Sequence, residues 1–278
     1  MAGVYRSLRW VYIIIITLLI VVPIFYVLSA SFMPPSELQE ITQQEDELQG
    51  AALFLPRYFT ILQYKSLFSE DPEYFFRILF SMGIAVPIVL GVVLIAPLAA
   101  FGFALWHSRL RNVVLILYIM LSILPCQVML VPNYIVYDRL GLVGSYAAVW
   151  LGAAFHPFCV YFIYRYMRGM HVEIIESARI DGANWLQLYI HMVLPSAKPA
   201  IAAAALLSCV DAWSMIEQPL IFIGEQSRYP MSVVLSGVDP TRAFAAAVVF
   251  VVPIALLYLY LRDDLQRSIG DVAGKGIF

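Results

Sequence analysis

Apolar residues run in long blocks along this chain, broken by short polar or charged stretches. Six blocks stand out, at about 10–31, 76–106, 112–132, 142–164, 199–223 and 243–261. Each is near or above the roughly 20 residues that cross about 30 Å of hydrocarbon as a helix. The pattern predicts six membrane-spanning helices. The first run, Trp10 to Ala30, follows Arg6 and Arg9 and so has the outline of a secretory leader. It exceeds the ~7–15 apolar residues of a leader's core, which reads as an uncleaved first span. The second block carries Pro87 and Pro97, which membrane helices tolerate as kinks because neighbours satisfy the freed carbonyls. Within it Ala96, Ala100 and Ala104 form a small-residue stripe that a second helix can approach closely.

Two of the polar stretches are long and invite a closer reading. Met33 to Phe75 is acidic, with Glu37, Glu40, Glu45, Asp46 and Glu47 in its first part. It is too short for an ordinary domain; it has room for a short helix or two, and reads as a solvated loop or a docking lip. The other, Glu173 to Pro199, lies between the fourth and fifth spans and reads as two short helices around a turn. Glu173 and Glu176 stand in the opening turns of the first, about 172–180, where the helix dipole favours acids. Gly182 follows, where a left-handed glycine ends a helix. Asn184 and Gln187 have the spacing of a capping box. Trp185, Leu188, Tyr189, Met192 and Val193 then make one apolar stripe. Such a stripe needs a cover, either this chain's own helix ends or another protein. Asp181 stands at a helix C-terminus against the dipole. It is expected to bond free N–H groups of the next helix or to reach a partner's base.

Charge orients the chain. Of the 17 Lys and Arg residues, 11 fall on the side of the N-terminus and the 173–199 loop, and six on the other. The positive-inside rule therefore predicts both termini in the cytoplasm. Only 13% of residues are charged, against roughly 25% in soluble domains. A net charge of −2 gives no bulk basicity for nucleic acid. Cys126, Cys159 and Cys209 all fall in apolar runs without metal-ligand spacing and read as small buried side chains. Neither a metal cluster nor a nucleophile with a positioned base appears, so the sequence offers no enzyme active site. Gly270 to Gly276 falls short of a phosphate-binding loop by one residue and by its lack of Ser or Thr.

Polar groups inside the spans are the candidates for chemistry, because membrane carboxylates are costly and functional by default. Asp211 and Glu217 lie in the fifth block, six apart, hence about 240° around a continuous helix and not on one face. Each reads as cavity lining or as a structural hydrogen bond or salt bridge. His156-Pro157 reads as a kink with a satisfied histidine, or as a substrate contact. Asn133, Tyr134 and Gln127 are further cavity candidates.

Glu176-Ser177-Ala178, Gly182 four residues after Ala178, and Met192-Val193-Leu194-Pro195 resemble the EAA loop of permease subunits of binding-protein-dependent ABC importers. The longer string, Glu176 to Ala200, resembles the carbohydrate-uptake branch, the group of the maltose transporter's permeases. Gly141-Leu142, Ala212-Trp213 with Pro219-Leu220, and the tail from Leu265-Gln266-Arg267 to Gly276 extend the likeness over most of the chain. Ser177 and Met192 depart from the family's alanine and isoleucine. Ser214, Met215 and Ile216 stand where the family usually has Asn, Asp and Phe, which bears on its sugar-path residues.

The resemblance implies an all-α membrane protein of six transmembrane helices with the type I ABC importer permease fold. It implies one permease domain over 1–278, with an extracytoplasmic loop at 33–75, a cytoplasmic coupling loop at 167–198 and a cytoplasmic tail at 262–278. The setting implied is the bacterial cytoplasmic membrane, and the role is transport and not catalysis. No cofactor binds this chain; ATP and Mg belong to partner subunits. The partners implied are a second, commonly non-identical permease, two ATP-binding subunits and an extracytoplasmic solute-binding protein. Glu176, Ser177, Ala178, Asp181, Gly182, Leu188 and Tyr189 become the ATPase-coupling residues: Glu176 and Asp181 as polar contacts, Gly182 for the turn, Ala178, Leu188 and Tyr189 for packing. Asp211, Trp213, Glu217, Gln218, Asn133 and His156 are the substrate-path candidates. The cargo implied is a sugar or oligosaccharide. A non-sugar solute, or an ion-coupled carrier relaying protons through Asp211, Glu217 and His156, stays open.

Overall fold

A computed structural model describes residues 2–43, 55–169, 180 and 182–274, and no strand occurs among them. In chain order the helices are α1 (Ala2–Ala30), α2 (Pro35–Gln43), α3 (Leu62–Ser69), α4 (Glu73–Leu105), α5 (Leu110–Ile123), α6 (Cys126–Arg139), α7 (Tyr146–Ala154), α8 (Pro157–Arg168), α9 (Trp185–Leu188), α10 (Leu194–Ser196), α11 (Lys198–Trp213), α12 (Glu217–Phe222), α13 (Met231–Val234) and α14 (Ala243–Gly274). A π turn, Tyr189–Val193, joins α9 to α10.

Among the described residues four stretches are long and apolar enough to cross a membrane: Leu8–Ala30, Glu73–Leu105, Tyr146–Arg168 and Ala243–Ser268. Two further candidates are bent pairs, α5 with α6 at 97° and Trp185–Ser196 with α11 at 72°. The expected third span is therefore not one rod. The cause lies in Leu124-Pro125: a residue before proline is pushed out of the helical region, and Leu124 is extended at φ −63°, ψ 129°. The expected fifth span, 199–223, is likewise broken, because α11 stops at Trp213 and α12 starts at Glu217. At the other end, α14 passes the expected boundary at 261 and stays helical to Gly274.

The chain divides into two compact units, Met1–Phe76 with Val234–Val252, and Arg77–Val233 with Pro253–Phe278. In the first, the polar 33–75 segment does carry two short helices, but it is more than a solvated loop. Met33, Leu38, Leu67 and Tyr74 are buried, and so are Glu37 and Gln63. Gln63 is fully enclosed and knits three backbone stretches together. Its Nε2 donates to the carbonyls of Ala30 at 2.7 Å and Met33 at 2.8 Å, while its Oε1 accepts from Ala245 N–H at 3.3 Å. Arg242 reaches Glu70 at 3.1 Å and the Ser66 carbonyl at 3.4 Å.

In the second unit the core is built where small residues let helices approach. Ala96 and Ala100 of α4, with Val92 and Phe101, pack with Cys159, Val160 and Ile163 of α8 and with Ala200 and Ala204 of α11. The alanine stripe thus lies in the core, with Ala104 at its margin. Gly91 of α4 marks another close approach: a Cβ there would sit 2.8 Å from the Cβ of Ala154. Overpacking of this kind costs about 1–3 kcal/mol. Gly91→Leu is expected to lower the unfolding temperature of the detergent-solubilised protein, and an unchanged midpoint would show the contact to be slack. Among the cysteines Cys159 is buried and Cys209 is partly covered. Cys126 is exposed, against expectation, because the break at Pro125 puts it on the first turn of α6, at the bend.

Candidate functional site

The breaks in the apolar helices converge on one cavity in the second unit, of about 580 Å³. Its walls come from Ser122, from Cys126 and Gln127 at the start of α6, from the α7–α8 junction, and from the region between α11 and α12. Each wall is placed by a local rule. Pro157 occupies the first position of α8, where its missing N–H costs nothing, and His156 is the extended cap before it, φ −98° and ψ 97°. At α11 the Ser214 hydroxyl donates to the Val210 carbonyl at 2.6 Å, four residues back, as the helix ends. Such back-bonding competes with helix continuation.

Two polar groupings form inside. His156 Nε2 lies 3.2 Å from Asp211 Oδ2, and the Asp211 side chain is 56% exposed. The other ring nitrogen, Nδ1, is buried without a hydrogen-bond partner among the described residues. Glu217 accepts from Gln127 Nε2 at 2.7 Å and from the Cys126 thiol at 3.0 Å. This carboxylate therefore sits at the N-terminus of α6, the end whose unpaired N–H groups favour a negative charge.

Of the substrate-path candidates, His156, Asp211, Glu217 and Gln218 line the cavity. Trp213 and Asn133 do not. Trp213 is buried, and Asn133 stands behind Gly152, whose Cβ would lie 3.9 Å from its Nδ2. The expectation that Asp211 and Glu217 face apart fails because 240° presumes one continuous helix. With a break at Ser214 to Ile216, both carboxylates reach one cavity. Sequence reading missed Cys126 and the hydroxyls of Ser122, Ser208 and Ser214. The legible clue was Pro125, which opens a helix and exposes the residues beside it.

The second candidate region is the loop before α11. Glu176, Ser177, Ala178 and Asp181 lie outside the described residues. Gly182 adopts φ +83°, with nothing within 4 Å of a notional Cβ, so its need is conformational: only glycine enters this region freely. The capping box is complete, with Gln187 N–H donating to Asn184 Oδ1 at 2.9 Å and Asn184 N–H donating to Gln187 Oε1 at 3.0 Å. The apolar stripe finds its cover on this chain. Leu188 and Val193 are buried in the core of the second unit, with Tyr189 and Met192 packed against it. The Tyr189 ring lies 5.2 Å from that of Phe101. Leu188 therefore anchors the loop and presents no surface. Trp185, Leu186, Ile190 and Ile180 remain exposed, at 49%, 65%, 45% and 86%. The π turn widens the helical register after Leu188, so the stripe divides into a covered part and an open part.

Comparison with known proteins agrees with this architecture. Residues 93–270 match the family described as "Binding-protein-dependent transport system inner membrane component". Among curated proteins, the chain is 24% identical to the arabinooligosaccharides transport system permease protein AraQ of Bacillus subtilis (strain 168), over 98% of this chain and 97% of that one. It is 28% identical to the melibiose/raffinose/stachyose import permease protein MelC of the same organism, over 66% of this chain and 70% of the relative. A solved structure, a bacterial ABC transporter involved in the import of the acidic polysaccharide alginate, superposes with a TM-score of 0.77 at 20% identity, over 94% of this chain and 96% of that one. With most of its length matched by the family, the chain belongs to the inner membrane components of binding-protein-dependent transport systems, as a multi-pass permease component of an ABC importer.

Proposed function

We propose that this chain forms half of the solute pathway for a sugar or oligosaccharide and couples that pathway to ATP hydrolysis in separate subunits. The observation that carries the reading is the 580 Å³ cavity at the helix breaks, lined by hydroxyl, amide and carboxylate groups. Polar side chains grouped this way among apolar helices are the means by which a membrane protein handles a hydrophilic solute. The names of AraQ and MelC support a saccharide. In this reading both termini and the 167–198 loop face the cytoplasm. The loop meets one of two ATP-binding subunits, which hold the nucleotide and Mg²⁺. A second permease, non-identical to this one, closes the cavity. A solute-binding protein delivers cargo from the side of the 33–75 segment. ATP-driven closure of the two ATPases moves the permeases together and turns the cavity from one side of the membrane to the other.

Reconstitution of the chain with these partners in proteoliposomes tests the reading, with raffinose and arabino-oligosaccharides as probes. Uptake is expected to require ATP, the ATP-binding subunits and this chain. Hydrogen bonds to a charged group contribute about 1.5–3 kcal/mol, so Asp211→Asn is expected to lower uptake by about tenfold or more while assembly persists. Uptake driven by a pH gradient in vesicles without any ATPase would replace this reading with a carrier relaying protons through Asp211, Glu217 and His156.

A further inference from the structure

The formal charges in the cavity beside His156 are those of two carboxylates. Among the described residues that line it, Asp211 and Glu217 are carboxylates, and none is Lys or Arg. His156 is the one basic group there, and its Nε2 already faces Asp211 at 3.2 Å. Even a protonated His156 leaves Glu217 without a countercharge. The remaining polar lining is neutral, in the hydroxyls of Ser122, Ser208 and Ser214 and the amides of Gln127 and Gln218. Both oxygens of Glu217 are held by neutral donors, Cys126 and Gln127.

We propose that this cavity passes neutral polyhydroxy solutes and excludes saccharides that carry carboxylate, sulfate or phosphate groups. An anion entering it loses water, meets like charge and finds no Lys or Arg among the described lining residues to hold it, which makes its transfer costly. A neutral saccharide brings hydroxyl donors to the exposed Asp211 carboxylate and acceptors to the Gln218 amide, so its own polar groups are satisfied on entry. Asp211 and Glu217 are then determinants of cargo charge. The inference rests on the solute-pathway reading above. It separates this chain from the alginate importer, whose cargo is an acidic polysaccharide.

Cys126 supplies a probe of that charge, being exposed and on the cavity wall. The assembled importer in membranes is treated with a cationic methanethiosulfonate, the ethyltrimethylammonium reagent, and with an anionic one, the ethylsulfonate. Rates at Cys126 are followed by mass spectrometry of its peptide and divided by each reagent's rate with glutathione. The ratio of the two normalised rates cancels the thiol's own reactivity. Two carboxylates within several ångströms favour the cation on the order of tenfold at low salt. The ratio is expected to fall toward one in Asp211→Asn/Glu217→Gln, and in the native chain as ionic strength rises, an arm that needs no variant to fold. A ratio at or below one in the native importer overturns anion exclusion and leaves the pathway reading standing. Failure of both reagents to reach Cys126, with and without ATP, removes the water-filled passage and the pathway reading with it.

Discussion

Gln63→Leu is expected to destabilise the first unit by roughly 3 kcal/mol or more, since each buried backbone group left unpaired costs about 1–3 kcal/mol. The replacement keeps volume and apolar contact but removes every polar atom. Two carbonyls, of Ala30 and Met33, and one N–H, of Ala245, then lose partners now 2.7, 2.8 and 3.3 Å away, and of these the Ala30 carbonyl keeps the Met33 N–H at 3.0 Å. Gln63 is fully enclosed, so water does not replace those bonds. Gln63→Glu separates the contributions: it keeps an acceptor for Ala245 N–H but loses both donor bonds, and most of the loss is expected to persist. Thermal unfolding in detergent, followed by size exclusion, reads the effect as a fall of about 10 °C in the midpoint. A midpoint shared by all three chains would show that the glutamine fills space and ties nothing.

Gln63 also marks where sequence reading stops. Gln63 is a polar residue in a short helix, and nothing local announces that its amide faces inward while Leu62 and Phe68 stay exposed. Its partners, Ala30, Met33 and Ala245, stand 33, 30 and 182 residues away and are brought to it only by the fold. The long apolar helices were legible because their pattern is local and the bilayer sets their length. The bends at Leu124-Pro125 and His156-Pro157 were half legible. Proline marks the place of a break, but 97° at the first is set by what packs around it. The cavity suffered from the same limit. Asp211 and Glu217 were found as costly polar groups, yet the angle assigned between them assumed a helix that breaks at Ser214 to Ile216. The loop before α11 was read best, because caps and left-handed glycines obey rules spanning three or four residues. Gly182, Asn184 and Gln187 take the conformations and bonds that their spacing predicts.

On the proposed coupling role, Trp185→Ala with Leu186→Ala is expected to release the ATP-binding subunits and abolish ATP-driven uptake, leaving the permease folded. These side chains are exposed at 49% and 65% on a loop whose neighbours Leu188 and Val193 are buried. An anchored element that shows an exposed tryptophan and an adjacent leucine suits the proposed contact. Truncating an interfacial tryptophan costs about 2 kcal/mol or more, roughly a thirtyfold loss of affinity. Leu188→Ala gives the opposite signature. It removes a side chain from the core and costs the permease itself about 2–5 kcal/mol, so its midpoint falls before subunit binding is measured. Asn184→Ala lies between the two: loss of the capping box costs about 1 kcal/mol, weakening the loop without uncovering the core. Copurification of tagged ATP-binding subunits, beside the thermal midpoint of each variant, separates the three. Full retention of the subunits by the Trp185/Leu186 variant would move docking off this surface altogether. The open half of the apolar stripe would then be a lipid-facing edge, and its anchoring by Leu188 would serve only the path between α8 and α11.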